Sequence, residues 1–448
     1  MVRFLTILFA VQGEFMEEDM RAVDIITRKR DAKVLFQGEI DWFVRGIVDG
    51  RIPDHQTSAL LMAMFLNGMD IDETLALTKS MTESGEGLDL PILKPKFDKH
   101  STGGVGDKVS LILAPLVASC SIAVPMLSGR SLGHTGGTLN KLESIPGMRI
   151  HLSIEEMEKE VKEIGMVIAG QTERIAPADR KIYHLRDKTG TVESIPLITS
   201  SILSKKLSED IDGLALDVKV GKGAFVKTID NARLLAESIA EVAKKMGIRI
   251  RAFMTSMNVP LGNAVGTGVE VYETLMILEG EEYPSDLMEV TLTLSQAIVD
   301  LAGLRGIDLT EKIRDGSALR KFREFVEFQG GDVSYVDAPE KLIEDCTREE
   351  IVSNRSAYVV AMDTEKIGKI AVDTESVSRG IIFHKKVGDR AERGNPLATI
   401  FWRGDAGRDP DQREDFTHFT GDIKNAILSS YEFGPDPPPT EEMIIERL

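Results

Sequence analysis

The chain has 448 residues, 42% hydrophobic and 28% charged, an ordinary globular composition that excludes a disordered or fibrous protein. Lys and Arg total 54 against 72 Asp and Glu, a net charge of −18, so the chain is poorly suited to coat nucleic acid or an anionic membrane; a small anion, which senses only the local field, stays within its reach. Cys120 and Cys346 are the only cysteines, which excludes a disulfide scaffold and a cysteine-rich zinc site and fits a reducing, cytoplasmic setting, and no apolar run approaches the roughly 20 residues of a transmembrane helix.

Arg3 and the apolar stretch Phe4 to Val11 loosely mimic a signal peptide, but the charge is single, the stretch is short and no A-x-A-like cleavage site follows. Residues 1–19 therefore read as a disordered or spurious extension, with the fold beginning near Met20. Residues 20–85 predict a helical domain: Ile40, Phe43, Val44 and Ile47 fall at helical spacing, as do Leu60, Leu61, Met64 and Phe65, while Gly50, Pro53 and Gly68 divide the stretch into short helices. From about 95 to 335, apolar runs at 122–127, 214–220 and 248–253 alternate with amphipathic stretches such as 231–246, the pattern of an α/β domain with a mainly parallel sheet. Leu287, Val290, Leu294, Ile298 and Leu301 share one helical face, most simply a core face. Within 345–425, the segments 358–362, 369–372 and 380–384 read as strands of a C-terminal α+β subdomain. Residues 426–448, with Pro437-Pro438-Pro439, read as a tail. The expected fold class is thus α/β: a small helical domain plus a large, mainly parallel α/β domain and a C-terminal α+β subdomain.

Two glycine-rich loops carry the strongest chemical signal. The first, Lys99-His100-Ser101-Thr102-Gly103-Gly104-Val105-Gly106-Asp107-Lys108, joins a predicted strand to a predicted helix. Glycines let backbone amides approach an anion, a helix N-terminus adds partial positive charge, and Lys99, Ser101 and Ser110 add donors. The G-x-x-x-x-G-K-[ST] spacing of a P-loop is absent. The second loop, Ser128-Gly129-Arg130-Ser131-Leu132-Gly133-His134-Thr135-Gly136-Gly137-Thr138, follows the apolar run 122–127, and strand ends of this kind collect ligands in parallel sheets. A glycine-rich turn by itself is ordinary chain punctuation, and any single Ser or Thr in it is most simply a cap or turn former. Two such loops in one domain suggest one anion held from two sides. Further on, if Pro196 opens a helix, Ser201 and Lys205 share a face. Alone that pair is a solvated surface; with Arg186 it offers donors to a carbonyl-rich heterocycle.

Taken together, 99–108, 128–147 and 183–206 resemble the pyrimidine nucleoside phosphorylase family, which includes thymidine phosphorylases. Family-like sequence extends over about 20–425. The resemblance implies reversible phosphorolysis, in which phosphate attacks C1′ of a pyrimidine nucleoside to release base and α-D-(deoxy)ribose 1-phosphate. It implies a phosphate cradle of Lys99, Ser101, Ser110, Ser128 and Thr138, and a base-binding set of His100, Arg186, Ser201 and Lys205, with His100, Arg186 and Lys205 catalytic. It further implies a discontinuous helical domain whose second piece is about 178–208, hinge closure of base and phosphate sites, a homodimer and no organic cofactor. One branch of the family binds potassium, and the matching positions are Gly106, Lys108, Leu261, Ala264 and Glu273; an ammonium at Lys108 could stand in for that ion, and Glu273 could equally be an exposed helix charge. Ser131 and Asn140 depart from the Gly and Asp usual in the signature, without removing an implied substrate contact. Three readings compete: an anthranilate-type phosphoribosyltransferase, which would use magnesium and a phosphoribosyl pyrophosphate donor; an AMP phosphorylase, which would carry a longer N-terminal domain; and a non-catalytic nucleoside-binding or signalling protein. The choice between thymidine and uridine rests on a single methyl or hydroxyl group, with the balance leaning to broad pyrimidine activity.

Overall fold

The computed structural model describes residues 20–130, 133–281, 283–372, 380–402 and 422–448, so the expectations for residues 1–19 and for Ser131 lie outside the described residues. In chain order the elements are α1 (Ala22–Arg30), α2 (Gln37–Asp49), α3 (Asp54–Asn67), α4 (Ile71–Thr82), β1 (Phe97–Ser101), α5 (Val109–Ala118), β2 (Val124–Ser128), α6 (Thr138–Leu142), α7 (Ile154–Ile164), β3 (Met166–Gly170), α8 (Pro177–Thr189), α9 (Ile195–Leu207), β4 (Gly213–Val220), α10 (Ile229–Lys245) and β5 (Arg249–Ser256). Then come β6 (Ala264–Gly266), α11 (Thr267–Leu278), α12 (Ser285–Leu301), α13 (Leu309–Arg314), α14 (Ser317–Phe328), α15 (Ser334–Asp337), β7 (Thr347–Val352), β8 (Ala357–Met362), α16 (Thr364–Val372), β9 (Gly380–Phe383), β10 (Arg390–Ala391), β11 (Pro396–Trp402), β12 (Tyr431–Gly434) and β13 (Ile444–Arg447). No helix among the described residues is long and apolar enough to cross a membrane.

The chain forms two compact units. The helical one takes α1–α4 from residues 20–87 and α8–α9 from 173–208. Its core joins Ile25, Ile40, Phe43, Leu60, Leu77 and Met81 to Ile182, Leu185 and Leu197 from the second piece. The buried Lys29 ammonium lies 2.7 Å from Glu73 Oε1, and Glu73 also accepts from Leu35 N and closes a capping box with Asp70 at the start of α4. The cost of desolvating both charges offsets much of the attraction in such a buried pair, but removing either partner would leave the other uncompensated. Pro177 and Pro196 occupy the first turns of α8 and α9, where a missing N–H costs nothing, and Gly190 ends α8 at φ +66°.

The second unit is built on a parallel sheet. β1, β4 and β5 run parallel, β2 pairs with β3, and a parallel bridge from Lys96 to Ala123 joins β2 to β1. The parallel order is therefore β3-β2-β1-β4-β5, and the succession of strands reverses direction between β1 and β4. Ligands in open α/β sheets bind at the carboxyl ends of strands beside such a switch point. Every residue of β4 is buried, and α5 buries all its residues except Ser110, so both elements read as near-continuous apolar runs.

Three details differ from the sequence reading. Residues 369–372 belong to helix α16 rather than a strand: Asp363 Oδ1 accepts from Lys366 N at 3.0 Å and caps the helix, and Ile367 and Ala371, four apart, turn one apolar face inward. The stretch read as a tail ends in β13, which pairs antiparallel with β5 at the sheet edge. The C-terminal strands also do not keep to themselves, since β9 pairs with β6 in a sheet ordered β6-β9-β11-β7.

Glu160 on α7 is fully buried, with Gln329 Nε2 3.2 Å from each of its oxygens. Burial pushes its carboxyl up to about 8, so it carries a proton at neutral pH. Its folded value lies above the unfolded value of about 4.3, so the stabilisation is complete below that value and is lost as pH rises through about 8. Thermal melts should show Glu160→Gln equal to or less stable than the parent at pH 5 and more stable at pH 9. Parallel pH profiles for the two proteins would contradict this.

Candidate active site

The first glycine loop leaves β1 at Ser101 and enters α5 at Val109. Gly103 and Gly106 take φ values of +88° and +76°, which residues with a Cβ rarely adopt. The turn braces itself: Ser101 Oγ donates to Asp107 Oδ2 at 2.6 Å and accepts from Gly103 N, while Asp107 Oδ1 accepts from Val109 N. Lys99 is only 2% exposed, with Nζ 3.4 Å from Ser110 Oγ, 3.7 Å from Asp107 and 3.9 Å from Asp217. Two further buried lysines surround these carboxylates. Lys219 pairs with Asp217 at 2.7 Å; Lys141 pairs with Glu270 at 2.8 Å and donates to Asp107 O at 2.6 Å.

The ammonium groups of this cluster are not held alike. Lys141 and Lys219 each have a carboxylate in direct contact, whereas those near Lys99 stand almost 4 Å away. Burial lowers the Lys99 pKa below the ordinary lysine value despite Asp107 and Asp217. For Lys219 burial acts the same way, but Asp217 and Asp107 outweigh it and raise the pKa. Burial also opposes ionisation of Asp107, yet Lys99, Lys219 and Lys141 hold it well below the usual carboxylate range. Lys99 is thus the least compensated cation of the cluster, the one an incoming anion would satisfy.

The second loop leaves β2 at Ser128, which stands in register with Ser101 counting from the Lys96–Ala123 bridge. It meets the first loop and a third turn after β4. A Cβ on Gly103 would lie 3.6 Å from Thr135 Oγ1, Gly104 bridges to Ala224, and His134 Nε2 lies 3.1 Å from Gly223 O with its ring 5.4 Å from that of Phe225. Gly368 of α16 presses on both loops, for a Cβ there would come within 2.3 Å of His134 O and 2.7 Å of Val105 Cγ2. Thr138 opens α6, one turn before Lys141, so that short helix is tied to the first loop through Asp107 O. Asp107, Lys141, Asp217, Lys219 and the turn at 221–225 were missed from sequence. Asp217-Val218-Lys219-Val220-Gly221-Lys222-Gly223 carries the same strand-to-glycine signal as the two loops that were singled out.

In the helical unit, α9 places Ser201 and Lys205 on one face, as their spacing predicts. Lys205 Nζ is 2.5 Å from Ser201 O, 3.1 Å from Ser201 Oγ and 2.5 Å from Asp179 Oδ2 on α8. Asp179 is buried, and its Oδ1 makes no hydrogen bond among the described residues. Arg186 differs from the picture of an open base ligand. It is 1% exposed and donates to the carbonyls of Thr191, Val192 and Leu197, stapling the α8–α9 connection. Burial pushes its guanidinium down to about 10, still charged at neutral pH. His100, in the α/β unit, lies between Lys99 and Ser101 on β1 and so faces the opposite side of the strand.

Residues 23–85 match the family described as "Glycosyl transferase family, helical bundle domain", and 93–319 match "Glycosyl transferase family, a/b domain". A pyrimidine-nucleoside phosphorylase of Staphylococcus haemolyticus is 44% identical over 398 residues, covering 85% of this chain and 92% of the relative. One from Staphylococcus aureus strain USA300 is 43% identical over 399 residues, with the same coverage. This chain belongs to the pyrimidine-nucleoside phosphorylase family. The anthranilate phosphoribosyltransferase of Thermus thermophilus, at 19% identity and a TM-score of 0.56 over 68% of this chain and 99% of that one, shares the fold. The expected fold class is borne out.

The positions at which the family resemblance implies potassium hold an ammonium group. Lys108 Nζ lies 2.7 Å from Glu273 Oε2 and donates to Leu261 O at 2.9 Å. Its side chain is fully buried, and Glu273, read as a candidate exposed charge, is 9% exposed. Gly106 and Ala264 complete the surroundings: a Cβ on Gly106 would lie 2.5 Å from Leu261 O and 3.4 Å from Ala264 O.

Proposed function

We propose that the chain catalyses reversible phosphorolysis of pyrimidine nucleosides, transferring the pentosyl group between the base and inorganic phosphate. The observation that carries this reading is the under-compensated Lys99 ammonium where three glycine turns meet at the carboxyl end of a parallel sheet. That is a site for a small oxyanion in a chain whose relatives are pyrimidine-nucleoside phosphorylases. In this reading Lys99, Ser101, Ser110, Ser128, Thr138 and the N-terminus of α5 hold phosphate. A phosphate oxygen attacks C1′ as the bond from C1′ to the base nitrogen breaks and its electron pair passes to the pyrimidine. Lys205 and Ser201 donate to the base carbonyls, where negative charge grows most in the transition state, while Arg186, held on the carbonyls of Thr191, Val192 and Leu197, braces the connection that positions them. His100 donates a hydrogen bond or proton to a base oxygen, as a side chain with an ordinary pKa of about 6.5 is suited to do. Asp179 aims the Lys205 ammonium.

The same proposal takes the enzyme to be cytoplasmic and homodimeric. Val23, Phe36 and Leu66 expose 49%, 58% and 71% of their surface on the helical unit, apolar area that a partner copy would cover. It accepts thymidine, deoxyuridine and uridine. Base release measured with each nucleoside, with and without saturating phosphate, tests this. Release that depends strictly on phosphate for all three is expected. Release with pyrophosphate alone would point to a phosphoribosyltransferase, and bound nucleoside without turnover to a binding protein.

A further inference from the structure

We propose that Lys108 is a built-in monovalent cation: its ammonium takes the place of a potassium ion, and the enzyme folds and turns over without one. Leu261 N donates to Val105 O at 3.0 Å, and Gly106 lies so close to Leu261 O that a Cβ would stand 2.5 Å from it. The first glycine loop therefore rests on the backbone of residues 261–264. Lys108, two residues further on, returns its side chain to the same spot and contacts Leu261 O and Glu273 Oε2. Glu273 grips the far side of the turn, its two oxygens accepting from Asn263 N at 2.8 Å and Ala264 N at 3.1 Å. A carboxylate in that position requires a counter-charge, and Lys108 supplies it from within the chain.

The next carbonyl is also taken. Lys386 Nζ donates to Gly262 O at 2.9 Å and pairs with Asp286 at 2.5 Å, and Asp286 accepts from Gly262 N at 3.3 Å. There is no space beside Gly262 either: a Cβ there would lie 2.7 Å from both Lys108 Nζ and Glu273 Oε2. A metal ion would have to displace Lys108 from Leu261 O and Glu273, and the displaced ammonium, tethered two residues from Gly106, would leave a second positive charge close to the ion. An ammonium group has the charge of potassium and nearly its size. Because it is tethered, it imposes no dependence on ion concentration, whereas a bound ion stabilises the fold by an amount that rises with the logarithm of its free concentration. The consequence for the site is positional: this clamp fixes the start of α5, two residues from Ser110, against the 261–264 turn.

Wild-type protein and Lys108→Ala are compared at about 0.2 M potassium, sodium, ammonium or choline chloride, a strength that screens surface charge equally in each salt. Wild-type Tm should agree within about 1 °C, and kcat/KM within about twofold, between potassium and choline. Lys108→Ala should lose about 5 °C or more in choline and regain most of it, with its activity, in potassium or ammonium. Elemental analysis of wild-type protein dialysed against potassium chloride and then desalted should find far less than one potassium per chain. One equivalent retained, a wild-type Tm specifically raised by potassium, or a folded Lys108→Ala indifferent to the cation would each overturn the proposal. If Lys108→Ala folds in no salt, the wild-type Tm and potassium content decide. Because both readouts are independent of turnover, they stand even if the proposed reaction is wrong.

Discussion

Lys205→Ala is expected to lower kcat and kcat/KM together by about 10²–10³-fold, the usual cost of removing one donor aimed at charge that appears only in the transition state. The substitution also has a structural effect that must be separated from the chemical one. Asp179 is buried, one of its oxygens makes no hydrogen bond among the described residues, and the other faces Lys205 at 2.5 Å. Removing the lysine leaves a carboxylate without its counter-charge. Breaking a fully buried pair costs about 3–5 kcal/mol, and the figure here should be smaller because Lys205 retains 23% side-chain exposure and water can screen the orphaned charge. The double variant Lys205→Ala/Asp179→Asn should recover most of the lost Tm and none of the lost kcat. Asp179→Asn alone should reduce kcat more gently, since the ammonium remains but is held less firmly. Near-normal kcat/KM in folded Lys205→Ala would remove Lys205 from the mechanism.

Lys99→Met should raise KM for phosphate by about 10²-fold or more while changing nucleoside binding little, because removing one partner of a charge-assisted contact costs roughly 2–3 kcal/mol or more. Lys99 is the cation without a carboxylate in direct contact, so it has most to gain from an anion. Its pKa is lowered by burial, so its charge is lost as pH rises through a value below the ordinary lysine range, and phosphate affinity should fall on that alkaline limb. Bound phosphate favours the charged form and raises that pKa, so binding at alkaline pH should take up protons. Titration calorimetry in two buffers of different ionisation enthalpy would measure the uptake, and Lys99→Met should lack it. An unchanged phosphate KM in the variant would place the anion elsewhere.

What could be read from the sequence was the chemistry that acts over a few residues. The two glycine loops, the Pro196 helix start and the Ser201–Lys205 face depend on backbone preferences and on i to i+4 neighbours, so the order of residues determined them. The segment 369–372 was misread because three apolar residues in a row, Ile370 to Val372, suit a strand or a helix equally, and only the Asp363 cap and the packing of Ile367 distinguish the two. The third glycine turn after Lys219 carried a readable signal that went unused.

Charge partners were beyond sequence reasoning, because distance along the chain says nothing about distance in space. The pairing of β1 with β4 sets Ser101 beside Asp217 and brings Lys219 into the Lys99 cluster, and Lys108 meets a carbonyl 153 residues away. The burial of Arg186 against three carbonyls likewise follows from how α8 turns into α9. Residue order by itself thus determined the two glycine loops, the Pro196 helix start and the donors this chain possesses. The tertiary structure alone decided which lysine stays under-compensated, which arginine becomes a staple and which ammonium meets Leu261 O and Glu273, because Coulomb and desolvation energies depend on the surroundings that topology assembles.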